Sequence, residues 1–257
     1  MRNGKTFTNF VIQIMQIEMK KTVLFLIILY IATLTTWAQG VYPSVDPQAA
    51  YITASGEEID DASSEQDAPL KATFTANPSD VGDYLARYEW KIYRAGEVDN
   101  PIVHRFEEDI EYTFTQSGTF YVLLFATFTL GNDIITYPEE GEENPMQVVI
   151  SKSTLDFPNA FSPNGDPFNN VLKAKEGYQS IIDFHATIIN RWGQKIYSWD
   201  NVDGEWDGKW NGHTVKDGVY FLIVKALGAD GRKYNIRKAI NVISGLNDNN
   251  RNGNGDE

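Results

Sequence analysis

Three carboxylates lie close together in the sequence, at Asp203, Glu205 and Asp207. Two carboxylic acids that face each other across a cleft are the catalytic pair of most glycosidases, and burial raises the pKa of one of them. Here glycines flank the three residues and tryptophans lie close by, which is typical of a surface turn that leaves carboxylates in water. The sequence therefore predicts no catalytic residue in this segment, and no enzyme.

A second group of oxygen-bearing side chains surrounds Gly165. The group consists of Asn164, Asp166, Asn169 and Asn170. Alternating Asp and Asn oxygens in a glycine loop can hold Ca²⁺, but Pro167 stiffens this loop and only one of the four side chains is charged. We interpret the group as the caps of a turn, with a weak Ca²⁺ site as the alternative, and we expect no other metal or cofactor.

The remaining candidates for catalysis or metal binding are isolated in the sequence. His104, His185 and His213 do not have the spacing of a metal site. Ser162 precedes a proline and lacks the Gly-x-Ser-x-Gly context of a nucleophile elbow. The chain has no cysteine, which excludes a thiolate metal site, a cysteine nucleophile and a disulfide framework.

The first 39 residues have the order of a secretory signal peptide. A basic start at residues 19–21 precedes an apolar run over residues 22–35, and small residues lead to a cleavage site at Ala38. The run is shorter than the about 20 residues that a membrane span needs. We expect export, with Met19 as an alternative start of the chain and an uncleaved membrane anchor as the rival interpretation.

Charge is distributed unevenly after the signal peptide. Residues 40–150 contain 5 basic and 21 acidic side chains, whereas residues 151–257 contain 13 of each. An acidic surface repels phosphate backbones and anionic lipid headgroups, so we expect neither nucleic-acid binding nor peripheral membrane binding. The charge is typical of a soluble exported protein, and weak affinity for divalent cations is the alternative.

Short strands separated by turns are predicted throughout residues 40–150. Residues 55–68 are rich in Glu, Asp and Ser and are predicted to be a loop. Alternating or apolar runs predict strands at residues 70–76, 88–93, 119–128 and 146–150. Strands at this spacing, one of them containing Trp90, indicate a two-sheet sandwich.

One family resemblance covers residues 51–150. Tyr88-Glu89-Trp90, followed by a run from Tyr112 to Val122, is similar to a PKD-type immunoglobulin-like domain. The acidic turn that follows the tryptophan in that family is absent here, so the resemblance implies no binding site. It implies a domain for adhesion or spacing. We interpret Trp90 as a core residue between the sheets, with a sugar platform as the alternative.

Four motifs in the second half follow one another in a fixed order. They are Phe161-Ser162-Pro163-Asn164-Gly165-Asp166, Asn190-Arg191-Trp192-Gly193, Trp206-Asp207-Gly208-Lys209-Trp210-Asn211-Gly212 and Val215-Lys216-Asp217-Gly218-Val219-Tyr220. In this order they resemble the gliding-motility-associated C-terminal domain, the type B sorting domain of type IX secretion, over residues 154–243. The resemblance implies recognition by the type IX secretion machinery of a Bacteroidetes-type cell, and a location at the outer-membrane surface or outside the cell.

The physical content of these motifs is turn formation. Residues 190–194 separate two apolar runs and predict a hairpin turn in which Gly193 takes the left-handed conformation. The fold class is therefore all-β: two consecutive immunoglobulin-like β-sandwich domains, at residues 40–150 and 151–243, after an N-terminal signal helix. Residues 244–257 are mostly Asn, Asp and Gly, which predicts a disordered tail.

Two further functions are open at this point. A carbohydrate-binding accessory protein would use Trp192, Trp206 and Trp210 as stacking platforms, which requires the three rings to be exposed on one face. A structural subunit of a surface assembly is the other alternative, with a surface protein or a surface glycan as partner.

Overall fold

The computed structural model describes residues 19–23, 42–139 and 141–244. The chain separates into two units, Met1–Pro43 and Ser44–Glu257. In the first unit, residues 19–23 are helical, and no helix among the described residues is long and apolar enough to cross a membrane. Most of the predicted signal peptide, including Ala38, and the tail after Ser244 lie outside the described residues.

The first part of the second unit is a sandwich of two sheets. Its described strands are β1 (Ser44–Val45), β2 (Gln48–Ile52), β3 (Glu58–Ile59), β4 (Ala62–Gln66), β5 (Leu70–Thr75), β6 (Pro78–Ser79), β7 (Leu85–Arg94), β8 (Val103–Arg105), β9 (Ile110–Phe114), β10 (Gly118–Leu130), β11 (Asp133–Tyr137) and β12 (Met146–Ile150). One sheet has the order β3-β2-β5-β9. The other has the order β4-β12-β10-β7-β8, with β11 also paired to β10, and β1 and β6 form a small separate ribbon.

The core of this N-terminal sandwich lies between the two sheets. Trp90 of β7 is fully buried, its ring centroid lies 6.0 Å from that of Phe74 of β5, and its indole N–H donates to the Glu108 carbonyl at 3.0 Å. The expectation that Trp90 is a core residue is confirmed. An aromatic ring of this size contributes strongly to a core because it removes a large apolar area from water.

Residues 55–68 differ from their prediction as a loop, because they contain β3 and β4. β4 adds to the edge of its sheet by parallel pairing with β12, and β3 pairs with β2. Four of the five side chains of β4 are polar, and three of these are exposed. Backbone pairing at a sheet edge needs no apolar alternation, which is why the sequence pattern gave no sign of these strands.

The C-terminal sandwich has one regular sheet and one irregular layer. Its strands are β13 (Ala160–Phe161), β14 (Ile181–Ile189), β15 (Lys195–Trp199), β16 (Lys209–Trp210), β17 (His213–Thr214), β18 (Gly218–Gly228) and β19 (Lys233–Val242). The sheet order is β13-β19-β18-β14-β15, and β16 and β17 form a separate ribbon. The opposite layer is held by two isolated bridges, Thr154 to Gln179 and Leu172 to Trp206.

Buried serines join the two sandwiches within the unit Ser44–Glu257. Ser180 Oγ accepts a hydrogen bond from the Ala68 N–H at 3.0 Å and lies 2.7 Å from Ser151 Oγ, which donates to Asp67 at 2.8 Å. Ala229 of the second sandwich packs in the core of the first. Hydrogen-bonded serines are a low-cost way to bury polar atoms, so this junction holds the sandwiches as one body.

Asp156 ties the irregular layer to β19 through two lysines. Its carboxylate lies 2.6 Å from Lys175 Nζ and 3.1 Å from Lys238 Nζ, and these contacts, that of Lys175 first, lower the pKa of the Asp156 carboxyl. A lowered pKa in the folded state stabilises the fold above the pKa of the unfolded carboxyl, and that stability is lost as the pH falls through the folded pKa.

We expect Asp156→Asn to reduce the free energy of unfolding at about pH 7 by up to about 1 kcal/mol, since the pair is exposed. The difference from the native chain should shrink below about pH 4, where an unfolded Asp becomes protonated. Urea unfolding of the native chain and of Asp156→Asn at about pH 7 and about pH 3 measures this difference in the free energy of unfolding. An equal difference at the two pH values would contradict the role of the ionised carboxylate.

Candidate functional site

The turn between β14 and β15 forms the first wall of the candidate site. The buried Asn190 side chain accepts hydrogen bonds from the N–H groups of Trp192 and Gln194, each at 3.0 Å, and Gly193 has a φ of 81°. The predicted hairpin turn with left-handed Gly193 is confirmed. Because this network fixes the backbone, the turn holds Trp192 outward, with 77 % of its surface exposed. The Arg191 guanidinium lies 4.8 Å from the centre of the Trp192 ring.

The segment after β15 forms the second wall, around a buried anchor. Trp206 is fully buried, exchanges two backbone hydrogen bonds with Leu172, and donates its indole N–H to the Lys209 carbonyl at 2.9 Å. The Asp207 carboxylate caps Lys209 N–H at 3.0 Å and pairs with the Lys209 ammonium, which lowers the pKa of Asp207. These contacts fix the β16–β17 ribbon, which carries Trp210 at its tip, 38 % exposed.

The start of β18 closes the site. The Tyr220 hydroxyl donates to the Lys216 carbonyl at 3.0 Å, and the Tyr220 ring packs edge-on against Trp206 with 5.6 Å between ring centroids. Asp217 accepts hydrogen bonds from both the N–H and the hydroxyl of Ser244. Ser244, the last described residue, therefore lies beside this site.

The three segments enclose a pocket of about 500 Å³. This volume lies within the range of about 300–1,000 Å³ that is usual for small-molecule sites. Its walls include Trp192, Trp210, Arg191, Lys216 and His213. An open pocket with two indole rings and several hydrogen-bonding side chains can bind a ligand that has both an apolar face and polar groups.

The three tryptophans proposed as stacking platforms differ in burial and in their position relative to the pocket. Trp192 and Trp210 line the pocket and are exposed, so the structure brings these two together. Trp206 has no exposed surface, and the prediction that it stacks on a ligand is wrong. Its ring packs 5.2 Å from that of Phe161 in the core, which is the position that a turn anchor requires.

The candidate Ca²⁺ loop is a network of internal hydrogen bonds. Asn164 Oδ1 accepts from the Asp166 N–H at 3.0 Å, Asp166 Oδ1 accepts from the Phe168 N–H at 2.8 Å, and Asn170 Oδ1 accepts from the Gly165 N–H at 2.7 Å. The hydrogen bond from Phe168 is the main cause that lowers the pKa of Asp166.

The fourth member of the loop, Asn169, has a φ of 52° and accepts through its carbonyl from Ser162 N–H at 2.7 Å. These contacts are the caps that the turn interpretation predicts. Among the described residues no group of three or more His, Cys, Asp or Glu side chains could hold a metal ion. The Ca²⁺ alternative stays a prediction.

The other polar candidates are dispersed over the surface. Asp203, Glu205 and Asp207 are all exposed. The Asp203 carboxylate accepts a hydrogen bond from Tyr178, which raises the pKa of that phenol to about 12. His104 pairs with Glu89, His185 pairs with Asp200, and His213 lies in the pocket. The absence of enzymatic activity stays a prediction from the sequence.

Sequence reasoning did not identify Arg191 and Lys216 as members of a site. Both belong to the turn motifs quoted for the second domain, each directly beside a residue that fixes a turn. That adjacency was the available signal, because a side chain next to a turn-fixing residue is held in a defined place. The sequence does not show that two turns far apart in the chain meet at one pocket.

The fold and the candidate site define a class of protein: a tandem of β-sandwiches whose second member has a pocket formed by turns and a short ribbon. Residues 155–242 match the model of a known family, the CHU_C type IX secretion signal domain. No curated protein matches the chain. The family match confirms the resemblance of the second domain, and it supports a secreted or cell-surface protein that is sorted by the type IX secretion system. The match does not extend to residues 40–150, whose resemblance to a PKD-type domain stays a prediction.

Proposed function

We propose that the chain is cargo of the type IX secretion machinery, which recognises the folded surface of the C-terminal sandwich. The observation that carries this proposal is the coincidence of the matched residues, 155–242, with the sandwich formed by β13–β19. The matched motifs include the turn at residues 190–194 and the exposed β16–β17 ribbon, where another protein can contact them. The signal peptide takes the chain across the inner membrane first.

The N-terminal sandwich is the part that is displayed in this proposal, for adhesion or as a spacer. Two observations support this role. Its segment, residues 40–150, has 21 acidic against 5 basic side chains, which favours a solvated surface. The serine junction through Ser151 and Ser180 fixes it to the sorting domain, so it is presented in one orientation. The alternative function, a structural subunit of a surface assembly, is compatible with the same acidic surface and the same fixed junction.

Reporter fusions test the export role. A fluorescent reporter placed between residues 1–39 and residues 40–257 should leave the cells of a type IX-competent bacterium, because the folded sorting sandwich is present. The same fusion ended at Ile150 should stay in the periplasm. Fractionation and protease treatment of intact cells measure both. Retention of both fusions in the periplasm, or export of both, would overturn the proposal.

A further inference from the structure

The pocket of the C-terminal sandwich presents indole surface to solvent from two separate hairpins. Trp192 stands on the β14–β15 turn and Trp210 on the β16–β17 ribbon. Each position is fixed from behind, by the Asn190 network and by the buried Trp206 respectively. Arg191 occupies one face of the Trp192 ring, so the other face is left for a ligand. Exposed aromatic rings on a braced backbone bind flat apolar faces at low entropic cost.

The pocket wall carries two cations, Arg191 and Lys216, and one carboxylate, Asp217. Among the described residues, neither the Arg191 guanidinium nor the Lys216 ammonium has a hydrogen-bond or ion-pair partner, apart from the contact of Arg191 with the Trp192 ring. Asp217 is the carboxylate of the wall, and its Oδ1 already accepts two hydrogen bonds from Ser244. These hydrogen bonds come from neutral groups, so Asp217 keeps its charge, and two cations against one carboxylate leave the pocket wall net positive. A net positive wall favours an anionic ligand, and more so beside the apolar surface of the indoles.

The chemistry of the walls narrows the ligand further. A sugar ring has an apolar C–H face that packs on an indole, and hydroxyls at its edge that pair with groups such as His213 and Asn211. A carboxylate or sulfate on that ring would be attracted by the positive charges of Lys216 and Arg191. An acidic peptide also carries negative charge, but its flexible Asp and Glu side chains offer no rigid flat face that could pack on the indoles. We propose that this pocket binds an acidic saccharide, a uronic acid or a sulfated sugar unit of a polysaccharide.

This binding is independent of the role of the sandwich in export, and purified protein tests it. Residues 40–257, which contain the whole unit Ser44–Glu257, are titrated with hexagalacturonate, with sulfated maltohexaose, with neutral maltohexaose and with hexaglutamate. Calorimetry and tryptophan fluorescence report binding. At least one of the two acidic sugars is expected to bind about ten-fold more tightly than maltohexaose and hexaglutamate, because only acidic sugars engage both the indoles and the cations.

Variants of the pocket separate its two contributions. Trp192→Ala and Trp210→Ala should each weaken binding of the acidic sugar by about ten-fold, since each removes an indole surface on which the apolar face of the sugar packs. The double variant Arg191→Gln with Lys216→Gln should weaken it similarly and remove its dependence on salt. The matched control, Lys233→Gln with Arg237→Gln, changes two exposed cations of the same sandwich outside the pocket and should leave binding unchanged.

Acidic residues also follow the pocket in the sequence, and a shortened chain controls for competition by them. Asp248, Asp256 and Glu257 follow Ser244, which is bonded to the pocket wall. A chain ended at Ser244 is therefore titrated beside the full one, and binding of an acidic sugar by either supports the site. No binding by either chain overturns the proposal. Equal affinity for hexaglutamate, or binding that persists in the tryptophan variants, overturns it as well.

Discussion

Trp206→Ala is expected to destabilise the C-terminal sandwich by about 3–5 kcal/mol, the cost of emptying the place of a large core aromatic. Trp206 is fully buried against Phe161 and Tyr220, with ring centroids 5.2 Å and 5.6 Å away. Its indole also holds the Lys209 carbonyl. A loss of this size is a large part of the about 5–15 kcal/mol that a domain has in total. Thermal unfolding followed by circular dichroism should show a melting temperature lower by about 6–20 °C.

The matched control is Trp210→Ala, four positions further along the same loop. Trp210 is partly exposed, so its removal should cost no more than about 1 kcal/mol. The loss of stability in Trp206→Phe should lie between the losses in these two variants, because phenylalanine keeps an aromatic ring but leaves the Lys209 carbonyl without its hydrogen-bond donor. Equal melting temperatures for Trp206→Ala and Trp210→Ala would contradict the assignment of Trp206 as the anchor of this turn.

Introduced into the reporter fusion, Trp206→Ala also tests whether export depends on the stability of the sorting sandwich. If the machinery recognises the folded surface, a chain whose sorting sandwich is largely unfolded should stay in the periplasm, whereas the Trp210→Ala fusion should be exported. Both variants keep every residue of the other motifs. Efficient export of an unfolded Trp206→Ala chain would mean that the signal is linear sequence rather than folded surface.

The three tryptophans also show how far the sequence can predict this site. Trp192, Trp206 and Trp210 all sit among Gly, Asn and Asp, so local pattern treats them alike. What distinguishes Trp206 is a backbone pairing with Leu172, far away in the chain. Burial is decided by such tertiary contacts, which is why the sequence predicted the turn at residues 190–194 correctly but could not separate the buried ring from the two exposed ones.

The fold itself was predictable where apolar side chains alternate. The strands β5, β7, β10 and β12 were predicted from that pattern, because each has a face in the core. The edge strands β3 and β4 were not, since polar edge strands pair through their backbones alone. The charge of the pocket could not be predicted for a third reason. The sequence shows that Arg191 and Lys216 are present, but it does not show whether an acidic side chain pairs with them.

Gly228→Ala is expected to destabilise the C-terminal sandwich by about 3 kcal/mol through overpacking. A methyl group at Gly228 would overlap the Cβ and Oγ of Ser153. Ser153 cannot move aside, because it is buried and its Oγ donates to Asp230 at 2.6 Å and lies 3.0 Å from the Tyr234 hydroxyl. The next residue, Ala229, bonds the backbone of the N-terminal sandwich at the junction. Urea unfolding should therefore show the loss in both sandwiches.

A double-mutant cycle identifies the clash as the cause. Ser153→Gly alone should cost about 1–2 kcal/mol, since it removes the donor to Asp230, but in the Gly228→Ala chain it makes room for the methyl group and should recover part of the lost stability. Gly231→Ala is the control for backbone strain: its φ is 79°, and a Cβ there would meet no neighbour within 4 Å. It should cost about 1 kcal/mol, and Ser153→Gly should not relieve it. Purely additive losses for Gly228→Ala and Ser153→Gly would show that the two residues do not pack as described.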